Sequence, residues 1–244
     1  MICHCLLIET EQGLVLVDTG FGTEDIKNPK TRLPPMIKLI GATLQTTETA
    51  VEQIRALGFD PRDVKHIVAT HMDMDHVGGV SDFPQATVHV LQSEYDAANA
   101  TRKDLISKSR YFPTQWSNHK QWEFYNPTGG DNWNGFEVVR QLKGLPPEIL
   151  VVPLLGHTAG HAGVAIQNKN EWIFHAGDAY FYRAEMDASP SCPTFLKLFQ
   201  RALAHDNKKR LHNQARLRAL SQSKQARVFS AHDAIEFESF NTKN

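Results

Sequence analysis

The chain has 244 residues, 41% hydrophobic and 22% charged, an ordinary globular balance with enough length to bury a core without staples. Lys plus Arg is 26 and Asp plus Glu is 27, a formal net charge of −1, which leaves no cationic excess to release counterions from nucleic acid. No apolar run approaches the roughly 20 residues of a membrane-spanning helix, the start Met1-Ile2-Cys3-His4-Cys5 carries no export-signal pattern, and 3 cysteines cannot all pair, so the expectation is a cytoplasmic protein that binds neither nucleic acid nor membrane.

In chain order, Cys3 to Glu9 and Leu14 to Val17 read as a hairpin about Thr10-Glu11-Gln12-Gly13. Residues 21 to 45 hold Gly22, Pro29, Pro34 and Pro35 and read as an irregular excursion. Thr47 to Leu57 reads as a helix capped by Thr47, with Gly58 just past its end. Val64 to Ala69 and Ala86 to Leu91 read as strands, and Ser93 to Ser107 as a helix. Residues 110 to 135, with Pro113, Pro127, Gly129, Gly130 and three tryptophans, read as a long aromatic connection. Phe136 to Val139 and Ile149 to Val152 are further strands, and Val164 to Gln167 with Trp172 to His175 forms a second hairpin. Residues 193 to 222 are helical in pattern with a break near Asp206-Asn207, and Arg227 to Ser230 is a last strand. No stretch has linker composition. The expectation is one domain over residues 1–244, two sheets face to face with helices outside.

Histidine is over-used, with 12 in the chain, and its placement is ordered. His71, Asp73, Asp75 and His76 fall together directly after a predicted strand. A turn there points His71 and Asp73 one way and Asp75 and His76 another, an arrangement suited to two adjacent metal ions. Gly78 and Gly79 follow and allow a sharp backbone turn. Gly156-His157-Thr158-Ala159-Gly160-His161, Gly177-Asp178 and His232-Asp233 each follow another predicted strand. Histidines and carboxylates at several strand ends are what an open metal site requires.

Asp18 in Val-Asp-Thr-Gly, the His71–His76 motif, His157 in Gly-His-Thr-x-Gly-His, Asp178 and His232, in that order, resemble the metallo-β-lactamase-fold hydrolases from residue 3 to about 235. The resemblance implies an α/β (α+β) fold: a four-layer αββα sandwich of two mixed sheets flanked by helices, with a metal site at one edge. The usual motif is His-x-His-x-Asp-His, and Asp73 stands here for its second histidine. The implied ligands of one ion are His71, Asp73 and His157. Those of the other are Asp75, His76 and His232, with Asp178 bridging. Two divalent ions are therefore expected, zinc first, with manganese or iron better tolerated than at an all-histidine site because of the harder Asp73 carboxylate. Asp18 is expected to hold a metal-bound histidine from behind.

The implied chemistry is attack of a metal-activated water on a carbonyl, with Asp75 moving the proton and Tyr180 or Tyr182 donating to the oxyanion. Nuclease, glutathione-thioesterase and flavoprotein branches carry extensions or domains absent from this sequence, so the likeness is greatest to the lactonase-like group. The expected substrate is a small molecule, a lactone or related carboxylic ester; other ester classes (thioester, phosphodiester), an iron-dependent oxidoreductase and a non-catalytic binding protein are the alternatives. His161 is read as structural, as are His89 and His175 within their strands. Cys3 and Cys5 are read as buried thiols. The aromatic set Phe112, Trp116, Trp122, Phe124 and Trp133 either lines a pocket or covers the core. Lys208, Lys209, Arg210, Arg216 and Arg218 are read as an exposed helix face.

Overall fold

In the computed structural model the described residues are 2–35, 37, 41–101, 105–126 and 131–241. The chain divides into two compact units: Cys5–Val90 with Tyr95–Phe124, and Met1–His4 with Leu91–Glu94 and Tyr125–Asn244. Each is built on a mixed sheet, one of five strands in the order β1-β2-β3-β4-β5 and one of six in the order β11-β10-β9-β8-β7-β6, among the described residues.

The first sheet opens with the expected hairpin, β1 (Leu6–Thr10) and β2 (Gly13–Val17), paired antiparallel from Leu6↔Val17 to Thr10↔Gly13. Two short helices, α1 (Thr23–Lys27) and α2 (Pro29–Arg32), occupy the start of the excursion read as irregular; its residues 36 and 38–40 lie outside the described residues. Helix α3 (Ala50–Ala56) begins after Thr49 and not Thr47, because Thr46–Glu48 forms a 3₁₀ turn whose Thr46 carbonyl accepts from the Thr49 hydroxyl. Strand β3 (Val64–Val68) then runs parallel to β2. Helix α4 (Met74–Val77) and a 3₁₀ turn at Gly78–Asp82 lead to β4 (Thr87–Leu91), parallel to β3. Helices α5 (Gln92–Asn99) and α6 (Leu105–Arg110) replace the single helix expected over 93–107, whose residues 102–104 lie outside the described residues.

The aromatic connection contains two strands that the sequence reading did not separate, β5 (Trp122–Tyr125) and β6 (Asp131–Trp133); Pro127, Gly129 and Gly130 lie outside the described residues. The second sheet continues through β7 (Phe136–Gln141), β8 (Ile149–Pro153), β9 (Ala162–Asn168) and β10 (Glu171–His175). Helices α7 (Thr194–Leu203) and α8 (Asn207–Gln222) are broken where expected. Asp206 caps α8, its carboxylate accepting from the Lys208 and Lys209 N–H groups at 3.0 Å. Strand β11 (Ala226–Phe229) pairs parallel with β10, and α9 (Ala234–Asn241) follows.

Each unit has its own core. Leu16, Ile67, Met72, Val80 and Trp116 anchor the first, and Phe136, Phe174, Tyr180 and Leu217 the second. Burying each large apolar side chain stabilises by about 1.5–3 kcal/mol. The aromatic set divides along the same line. Trp116 is buried and Trp122 packs on the first core, while Trp133 stacks near Phe174 at 5.7 Å in the second. Lys208 and Lys209 are exposed as expected, but the arginines of the basic stretch depart from that role. Arg210 is 3% exposed and donates to Gln200 Oε1. Arg216 lies over the Phe136 ring, and Arg218 donates to the Glu185 carbonyl. These arginines bind the helix inward.

Candidate metal centre

The candidate ligands form two groups, one in each unit. In the first, β2 and β3 run parallel and end side by side, so Asp18 and Thr70 meet. The Asp18 N–H donates to the Val68 carbonyl at 3.0 Å. Asp18 is 1% exposed and takes a left-handed φ of 56°, a region that favours Asp and Asn over most residues. Its Oδ1 accepts from the Thr70 N–H at 2.7 Å, and its Oδ2 accepts from the Thr70 hydroxyl at 2.8 Å and from His76 Nδ1 at 2.8 Å. The Thr70 oxygen, its own proton given to Asp18, accepts from His71 Nδ1 at 2.9 Å. One carboxylate thus fixes the tautomer of two histidines, a direct one and one relayed through Thr70. Both are left with Nε2 as the lone-pair nitrogen.

Those nitrogens face carboxylates. His71 Nε2 is 3.3 Å from Asp73 Oδ2, and His76 Nε2 is 4.0 Å from Asp75 Oδ1. The two rings lie 4.0 Å apart between centroids. Arg110, at the end of α6, places its Nε 3.4 Å from Asp73 Oδ1. The Gly78-Gly79 pair serves this segment in a way different from the sharp turn expected. Gly78 has ordinary helical angles, φ −56° and ψ −38°. The requirement is space: a Cβ on Gly79 would stand 2.7 Å from the Thr19 carbonyl oxygen, and one on Gly78 would strike Asp25 and the Gly20 carbonyl.

In the second unit the register of the parallel strands β10 and β11 does the placing. His175 pairs with Phe229, so the chain reaches Asp178 and His232 the same number of residues beyond each strand. His232 Nε2 lies 3.1 Å from Asp178 Oδ1, and His157 Nε2 lies 3.4 Å from Asp178 Oδ2. His232 donates through Nδ1 to the Ile2 carbonyl at 2.6 Å. His157 sits in a loop whose Gly156, at φ 141°, passes against the Arg210 backbone where a side chain would clash. His161 uses both ring nitrogens on the backbone, donating from Nδ1 to the Leu154 carbonyl at 3.1 Å and accepting at Nε2 from the Asp178 N–H at 2.9 Å. It holds Asp178 in place.

The two tyrosines differ. Tyr180 is fully buried and donates its phenol proton to Glu236 Oε1 at 2.8 Å. That is at odds with the expectation that Tyr180 donates to a substrate oxyanion, because its one proton is committed to the half-buried Glu236 carboxylate. Burial pushes the Glu236 carboxyl up to about 7, against donations from Ser230 and Tyr180 that lower it. Tyr182 is half-buried, with the Arg183 guanidinium 5.0 Å from its ring centroid. Its N–H and that of Phe181 donate to Glu185 Oε2, both at 3.2 Å. Glu185 also accepts from Gln200 and Gln214, so a buried carboxylate ties the loop after Asp178 to α7 and α8. Elsewhere, His175 donates to the His4 carbonyl at 2.8 Å, and His66 and His89 share a hydrogen bond of 2.9 Å. The Cys5 thiol is pushed well above its usual range by burial.

Thr70, Arg110, Ile2 and Glu185 are the contributors that sequence reasoning missed. Thr70 alone had a local signal, being the residue before His71 at a strand end. The donor set, imidazoles and carboxylates with hydrogen bonds at Nδ1 of His71, His76 and His232, fits a divalent metal ion.

The family model of the metallo-beta-lactamase superfamily matches residues 1–232. The chain belongs to the metallo-beta-lactamase superfamily. A probable metallo-hydrolase of Mycobacterium tuberculosis is 37% identical over 217 residues, 89% of this chain and 69% of that one. An N-acyl homoserine lactonase, AttM, of Rhizobium radiobacter is 28% identical over 165 residues, 67% of this chain and 59% of that one. Among solved structures, an N-acyl homoserine lactone hydrolase with N-hexanoyl-L-homoserine at its catalytic metal centre has a TM-score of 0.68 at 19% identity. The likeness covers 96% of this chain and 82% of that one and extends to the fold. As a superfamily member with these relatives, the chain is a metal-dependent hydrolase of the lactonase-like group, and divalent metal ions are its cofactor. Among the described residues, no helix is long and apolar enough to cross a membrane.

Proposed function

We propose that the chain hydrolyses a lactone or closely related carboxylic ester, using two divalent ions. The observation that carries this reading is the locked orientation of the imidazoles: hydrogen bonds at Nδ1 turn His71, His76 and His232 so that Nε2 faces a carboxylate. His71, Asp73 and His157 would hold one ion and Asp75, His76 and His232 the other, with Asp178 available to both. Zinc is the first choice for such donors, and the Asp73 carboxylate also suits manganese or iron.

When bound, such ions supply an acidified water and a polarised carbonyl. The Asp75 carboxylate accepts the proton of the attacking water and delivers it to the leaving oxygen of the opened ring. The Tyr182 hydroxyl donates a hydrogen bond to the carbonyl oxygen as it gains charge. Asp18, through Thr70 and directly, keeps the protons of His71 and His76 on Nδ1. His161 keeps the Asp178 backbone in register. The lactone is favoured among esters because curated relatives are N-acyl homoserine lactonases. The cytoplasmic setting inferred from the cysteines is part of the same proposal.

Elemental analysis of protein purified without added metal, followed by a panel of lactones, esters, thioesters and phosphodiesters, tests this. About two zinc or manganese ions per chain with lactone turnover is expected. Ion binding with turnover of thioesters or phosphodiesters alone would overturn the substrate. Iron with a visible absorption band and no ester turnover would put an oxidoreductase in its place.

A further inference from the structure

Asp73 stands where α4 begins, yet its side chain caps nothing. The His76 and Val77 N–H groups bond to its backbone carbonyl, and its carboxylate makes no capping hydrogen bond. Two basic groups lie beside the carboxylate. Oδ2 faces His71 Nε2 at 3.3 Å and Oδ1 faces Arg110 Nε at 3.4 Å. Both partners are withdrawn from water, the Arg110 side chain 7% exposed and that of Asp73 13%. A guanidinium so placed is charged at any working pH, and in a site so little hydrated its charge is poorly screened. The guanidinium charge lies opposite that of the carboxylate, one oxygen of which is beside the imidazole nitrogen.

We propose that Arg110 is a positioning residue that sets which ion the Asp73 position accepts. Its guanidinium lies 3.4 Å from Oδ1 and offsets part of the carboxylate charge, so that Asp73 presents a less anionic donor beside His71. Such a donor acts more like a neutral ligand than a carboxylate without a cation beside it, and it suits zinc over the harder manganese. Without Arg110 that offset is lost. The inference rests on the ligand role of Asp73 proposed above.

Chelator competition on the full chain, with zinc and then manganese as the only metal, reads this without any substrate. Arg110→Met is expected to bind manganese roughly tenfold tighter, the scale of one poorly screened charge, and to gain less for zinc. Arg110→Lys, which keeps the charge, is expected to stay close to the parent. A merely structural arginine would give the opposite sign, with both affinities falling on removal. Asp73→His leaves the guanidinium without its carboxylate beside the cation, so it is expected to lose occupancy, and Arg110→Met in the same chain is expected to restore it. An unchanged or weakened manganese affinity in Arg110→Met, or failure of that restoration, overturns the inference. Asp73→Asn separates the two levels. If it leaves both affinities unchanged, the ligand role of Asp73 fails and the inference with it; if it weakens binding while Arg110→Met changes nothing, only the inference fails.

Discussion

Replacing Asp18 with asparagine changes a charge and an acceptor while keeping the shape. The backbone does not resist, because asparagine tolerates the left-handed region that Asp18 occupies at φ 56°. The hydrogen bonds do. With the amide oxygen kept at the Oδ1 position, the Thr70 N–H is still satisfied, and the amide NH₂ falls where Oδ2 accepts from both the Thr70 hydroxyl and His76 Nδ1. Turning the amide over restores those two and sets NH₂ against the Thr70 N–H. Hydrogen bonds to a charged acceptor are worth about 1.5–3 kcal/mol each, and at least one is lost while the others become neutral. The metal-free variant is therefore expected to be about 2–4 kcal/mol less stable by urea unfolding. His76 can relieve the conflict by moving its proton to Nε2, which removes that nitrogen as a ligand. Ion affinity, read by chelator competition, is expected to fall about 10–100-fold. Stability within about 0.5 kcal/mol of the parent, together with unchanged affinity, would refute the claim that Asp18 orients the imidazoles.

Gly79→Ala forces a methyl to 2.7 Å from the Thr19 carbonyl and is expected to cost about 1–3 kcal/mol. Gly58→Ala has nothing within 4 Å and meets only its left-handed backbone, about 1 kcal/mol; equal thermal shifts in the two would count against the close-approach explanation. Tyr182→Phe is expected to lower kcat about 10²–10³-fold. Tyr180→Phe is expected to leave kcat near the parent and lower stability by about 1 kcal/mol, and the reverse pattern would exchange their roles. Burial and the neighbouring His66 push His89 down to about 4 from 6.5. Its neutral form is favoured in the fold, so its contribution is complete above pH 6.5 and is lost as pH falls toward 4, by about 3 kcal/mol at most. Urea midpoints from pH 7.5 downward are expected to drop less in His89→Asn; parallel curves would show that the pair carries no such linkage.

The donor clusters were legible because each is short, contiguous and set at the end of an apolar run. The order of His71, His157, Asp178 and His232 along the chain carried the family resemblance, and the polar pair Asp206-Asn207 marked the break between two helices. What escaped depends on distance along the chain. Arg110 reaches Asp73 from a helix far downstream, and no local pattern distinguishes it from a surface arginine. Arg210 and Arg218 looked like a solvated face because charge was read without their partners, a glutamine and a backbone carbonyl. Strands β5 and β6 were hidden by Pro127, Gly129 and Gly130 between them, which read as one loop. Gly78-Gly79 was read as a conformational need when neighbouring backbone, unseen in the sequence, imposes a spatial one.

The hydrogen bond from His232 to the Ile2 carbonyl joins residues 230 apart in the chain. At roughly 5–20 residues per second of synthesis, the earlier of those residues waits on the order of 10–50 s for the later. The strands that carry Asp18 and His71 pair with each other within residues 14–68. The hydrogen bonds at Nδ1 of His71 and His76 close over separations of 1 and 58 residues, and that at His232 over 230. The orientation of the first pair is therefore set by a short stretch of chain, and that of His232 waits for a partner at the other end of the described residues.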